Sequence, residues 1–169
     1  IRRTALGEDH LALAFIYNNI GANRNAQRRY ADAEGYFRKA LRIRLAGLGD
    51  QHPETAARYN NVAANLEAQG KLAEAESLYA KALSIRQARL GPEHPDLIAS
   101  NGNIGVFLQR RMHRYPQALD HFRAATRAIE RRAAGAASDP AAERELRERQ
   151  PYFRLLIDSA WHVAHPEAR

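Results

Sequence analysis

The chain has 169 residues, a net charge of +7 and no cysteine, which excludes a disulfide framework, a thiolate metal site and a cysteine nucleophile. No run of about 18 apolar residues is present, so no membrane-spanning helix is expected, and the start Ile1-Arg2-Arg3-Thr4 lacks the apolar core of a signal peptide. Ala, Leu, Arg, Glu and Gln dominate while β-branched residues are sparse, so an all-α fold is expected.

One register recurs every 42 residues, marked by Leu6-Gly7, Leu48-Gly49 and Leu90-Gly91, by His10, His52 and His94, and by Asn19, Asn61 and Asn103. Ile1-Arg2 stands in the phase of Ile43-Arg44 and Ile85-Arg86. Residues 1–5 are therefore expected to be the remnant of a preceding repeat. The first repeat, 6–47, predicts helices over 11–26 and 30–47. The second, 48–89, predicts helices over 53–69 and 72–89, each with one apolar stripe, such as Tyr59, Val62, Ala63 and Leu66. Glycine in each connecting loop and proline at 53 and 95 mark helix stops and starts.

The third repeat, 90–133, predicts helices over 95–111 and 115–133 and departs from the pattern. Its turn Arg110-Arg111-Met112-His113-Arg114 is one residue longer, Gly102 replaces the first Asn, and Pro116 opens the second helix. Decay near the end of an array and a functional bulge both account for this. Residues 134–169 read as a linker followed by capping helices over 140–149 and 151–164. The latter aligns Tyr152, Leu155, Leu156, Ala160 and Val163, with Trp161 beside them, to cover the third repeat.

Small residues share phases: Gly21, Ala63 and Gly105 in one, Ala33, Ala75 and Ala118 in another. Phe37, Tyr79 and Phe122 are the large residues expected to fill the space so left.

Leu90-Gly-Pro-Glu-His-Pro-Asp96, the Asn60-Asn61 pair and the run from Gln69 to Arg86 together resemble the 42-residue tetratricopeptide variety of kinesin light chains, a variety also common in bacterial signalling and defence proteins. The resemblance covers residues 1 to about 131. It implies a right-handed α-solenoid of antiparallel helical hairpins, the tetratricopeptide superhelix, ending in a C-terminal capping helix. It also implies a protein–protein interaction scaffold that holds a peptide or partner domain in its concave groove. The stretch Pro151 to His165 resembles, less specifically, the segment that follows such repeats in bacterial proteins ending in a CHAT protease domain. A regulatory arm of a larger effector and a self-association module, forming a homodimer, are the alternatives.

By the same resemblance the first helix of each hairpin lines the concave face and carries Asn18, Asn19, Asn60, Asn61 and Asn103. An amide both donates and accepts, so an Asn series can grip an extended backbone; equally, it can bond a neighbouring helix and hold the repeats in register. Arg24 and Arg110, near first-helix ends with Arg28, Arg29 and Arg111, favour an acidic partner if they reach the groove rim. A chaperone-type carboxylate clamp is not expected, because Ala22, Ala57, Ala64 and Ala99 occupy the surface where its lysines and arginine belong.

His10, His52 and His94 lie a full repeat apart without close second ligands, so they are read as helix caps. His162 and His165 lack a third ligand, and no metal or cofactor is expected. GxSxG, HExxH and phosphate-loop motifs are missing, so no enzyme activity is expected. Residues 45–86 carry four basic against five acidic residues, and no continuous basic stripe points to nucleic acid. A cytoplasmic setting is expected.

If the register is right, Ala75→Leu overpacks a helix–helix contact and costs about 1–3 kcal/mol. Circular dichroism on heating should show earlier loss of helicity, and an unchanged melting curve would refute the register.

Overall fold

In a computed structural model, which describes residues 11–135 and 154–155, six helices follow one another: α1 (Leu11–Ala26), α2 (Tyr30–Leu48), α3 (Pro53–Ala68), α4 (Leu72–Arg89), α5 (Pro95–Arg110) and α6 (Tyr115–Gly135). The described residues contain no strand. Each predicted hairpin forms, with boundaries within two residues of the sequence expectation. The last helix continues to Gly135 because Arg131 to Ala134 are mostly strong helix formers. The remnant at 1–5, His10, His162, His165 and the helices expected over 140–149 and 151–164 lie outside the described residues, apart from Arg154 and Leu155.

Contacts divide the chain into two units, one ending at Arg89 and one beginning at Leu90. In the first, α1 packs on α2, α3 on α4, and α3 also packs on α2. Its core includes Ala14, Ala33, Ile43, Val62, Leu66 and Ala75. In the second, α5 packs on α6 around Ile98, Phe107, Phe122 and Ile129.

Within a hairpin the spacing of the helices is set by a residue without a side chain. A Cβ added at Gly21 would lie 2.9 Å from the Phe37 ring, and one at Gly105 would lie 2.5 Å from Phe122. The rings of the second helices therefore rest on the backbone of the first, as the shared phase of these positions predicts.

Helix starts follow from the repeated His-Pro pair. Nδ1 of His52 accepts the Glu54 backbone N–H at 3.1 Å, and Nδ1 of His94 accepts that of Asp96 at 3.1 Å. Proline takes the next position, where its missing N–H costs nothing. The loop before α3 is strapped down by Thr55, whose hydroxyl donates to the Gly49 carbonyl at 2.8 Å, and by Tyr59, which donates to Asp50 at 2.6 Å.

Helix stops use one hydrogen-bond pattern. The Lys71 N–H reaches the Leu66 carbonyl and the Gly70 N–H reaches that of Glu67, both at 2.9 Å. Gly70 sits at φ 78°, as this Schellman arrangement requires. In the first hairpin Arg29 bonds Arg24 and Arg28 bonds Asn25 in the same way, but the left-handed position is Arg28, at φ 59°. In the third hairpin Arg114 bonds Leu108, and His113 takes φ 54°. That closure spans one more residue, so the insertion is absorbed within the turn.

A side chain at left-handed φ costs about 1–2 kcal/mol. Arg28→Gly is therefore expected to raise the melting temperature by about 2–8 °C and Gly70→Ala to lower it by a similar amount. Thermal unfolding of the two variants beside the parent checks both signs.

Candidate functional site

A cleft lies between α1 and α3, over the Phe37 ring. Ala22, Asn25 and Ala26 come from α1, and Asn61, Ala64 and Asn65 from α3; the cleft measures about 280 Å³. Close helix approach at Gly21 sets its floor, and the alanines keep it open.

Its amides are organised by bonds between the two hairpins of the first unit. Asn61 Nδ2 donates to Asn18 Oδ1 at 2.6 Å. Asn65 is fully buried; its Nδ2 donates to Asn25 Oδ1 at 2.9 Å and to the Tyr30 carbonyl at 3.1 Å, while its Oδ1 accepts from Gln69 at 2.8 Å. Gln69 also donates to Glu34 at 2.8 Å. Glu34 accepts further bonds from Arg38 at 2.8 Å and Lys71 at 3.0 Å. Burial alone would raise the Glu34 carboxyl above its ordinary 4.5, but the bonds from Gln69, Arg38 and Lys71 outweigh it and bring the value down to about 2.

A tetratricopeptide repeat model matches residues 13–88 and 54–131. The chain belongs to the tetratricopeptide repeat family. Among solved structures, it is similar to nearly identical tetratricopeptide-like repeats described as kinesin light chain from Podosopora anserina, at 18% identity and a TM-score of 0.65, covering 99% of this chain and 82% of that one. It is also similar to BtubC (BKLC) from P. vanneervenii, at 19% identity and a TM-score of 0.64, covering 92% of this chain and 65% of that one. At these identities the likeness is one of fold. A search of curated proteins finds no match. The all-α tetratricopeptide fold is thereby shown, and tetratricopeptide repeats generally mediate protein–protein interaction.

The Asn residues of the register do not form one uniform row. Asn18 and Asn61 bond each other across the α1–α3 contact, and Asn60 is half-buried on α3. Asn19 is exposed and lines a separate depression with Phe15, Ile16, Ile20, Asn23 and Arg24. There Phe15 is 62% and Ile16 38% exposed. Arg24 bonds its neighbour Gln27 at 3.3 Å, and Arg29 bonds Asp32 at 2.7 Å. Asn103 and Arg110 are exposed on α5, in the second unit. No helix among the described residues is long and apolar enough to cross a membrane.

Asn25, Asn65, Gln69 and Glu34 were not singled out by the register. Asn65 does recur as Asn23, but the third repeat places Phe107 there. The interruption hid its role.

The depressed Glu34 value carries a sign. Its carboxylate contributes stability that is complete above pH 4.5 and is lost as pH falls toward about 2. Stability measured by urea titration between pH 5 and 2.5 should therefore fall less steeply in Glu34→Gln than in the parent; equal slopes would show that the carboxylate is not held this way.

Proposed function

We propose that the chain is a protein-binding scaffold whose α1–α3 cleft takes an extended, uncharged peptide segment with small side chains. The observation that supports this best is the set of amide atoms left by the internal bonds. Among the described residues Asn25 Nδ2 and Asn61 Oδ1, both from residues that line the cleft, take no further partner.

The Asn25 donor suits a peptide carbonyl and the Asn61 acceptor a peptide N–H on the same edge of an extended chain. The floor of Ala22, Ala26 and Ala64 admits small side chains, and no charged side chain lines the cleft. Preformed amides reduce the ordering cost of binding.

Ala64 is exposed, so Ala64→Trp should fill the cleft while leaving the helices intact by circular dichroism. A peptide or protein captured by the parent should bind the folded variant at least about tenfold more weakly. Undiminished capture would show that the cleft is not the binding surface.

A further inference from the structure

At the opposite end of α3, beside the 49–52 loop, the first unit collects basic side chains, one of which, Arg58, the repeat pattern does not explain. Arg44, near the end of α2, donates through Nη1 to Glu54 at 2.8 Å. Arg58 stands one helical turn after Glu54 on α3 and hence on the same face. Among the described residues Arg58 makes no ion pair or hydrogen bond, and its Nε, like that of Arg44, is buried without a partner. The charge of Arg86, on α4, also bears on Arg58.

This arrangement is electrostatically uneven. A carboxylate four residues before an arginine would ordinarily pair with it, but Glu54 is taken by Arg44. Arg58 is left half-buried among like charges, which is unfavourable. Burial and the Arg44 charge both press its protonated form downward, and only Glu54 opposes them. The repeat does not require a cation here, since the register places Ile16 and Ser100 at the same position.

We propose that Arg44 and Arg58 form a binding site for a phosphate group. Glu54 is the displaceable internal anion: its side chain is 54% exposed against 14% for Arg44, so it can turn into solvent while the guanidiniums stay. Two guanidinium forks then face the ligand and match both the geometry and the charge, about −1.5 to −2 at neutral pH, of a phosphate monoester. A single carboxylate would leave one cation uncompensated. The phosphate can come from free phosphate or from a phosphorylated side chain of a bound partner.

Thermal unfolding of the whole chain tests this, with inorganic phosphate replacing chloride at constant ionic strength. The parent should gain about 4 °C at phosphate about tenfold above the half-maximal concentration. Arg58→Gln should lose the gain, and Glu54→Gln should reach it at severalfold lower phosphate, because its internal competitor is neutral. No gain in the parent, or an equal gain in Arg58→Gln, overturns the site. Should Arg58→Gln fail to fold, Glu54→Gln decides: an unchanged half-maximal concentration overturns the proposal and a lowered one upholds it. The peptide Ala-phosphoserine-Ala, beside its unphosphorylated twin, separates the sources. Tighter action of the phosphopeptide than of free phosphate supports the site and assigns it to a modified partner, and equal action supports it as a site for the free ion.

Discussion

Aromatic rings resting on bare backbone set the dimensions on which the rest depends. Phe37 over Gly21 and Phe122 over Gly105 bring the two helices of a hairpin to a separation that even one added methyl would disturb. That proximity has consequences beyond the hairpin. With α1 and α2 held close, α3 reaches both at once: Asn61 finds Asn18 on α1, while Asn65 and Gln69 find the Tyr30 carbonyl and Glu34 on α2. A wider hairpin would separate these acceptors, and the amides would be buried without partners.

The polar junction so formed divides its work by charge. Neutral amides occupy the buried interior, where an unpaired charge would be costly, and Glu34 meets its cations Arg38 and Lys71 toward the surface. Each amide that bonds a neighbouring helix uses part of its capacity and keeps the rest. Keeping the register therefore does not exhaust these groups. The atoms of Asn18, Asn25 and Asn61 not spent on stacking are held in place by those that are.

Periodicity made the helices legible because it reports what the hairpins do alike: bury a stripe, approach at a small residue and, in the second and third, begin at His-Pro. The caps at His52 and His94 and the seats of Phe37 and Phe122 fall in this class. Arg28 escaped notice because its left-handed conformation is imposed by the Schellman bonds around it and not by residue type. Asn65 escaped for another reason. Its role needs Asn25 and the Tyr30 carbonyl, 40 and 35 residues earlier, and no one-dimensional spacing pairs them.

The features that differ between hairpins are consequently the informative ones. Arg44 follows the repeat, standing in phase with Arg2 and Arg86, and its bond to Glu54 is accounted for by helix contact alone. Arg58 breaks the repeat and finds no bond among the described residues. A residue that stacking neither requires nor satisfies, kept half-buried at an energetic cost, is where a repeat protein departs from architecture. The neutral amide cleft toward one end of α3 and the arginine pair toward the other are thus chemically distinct surfaces of the first unit, one carrying uncharged donors and acceptors and the other concentrated positive charge.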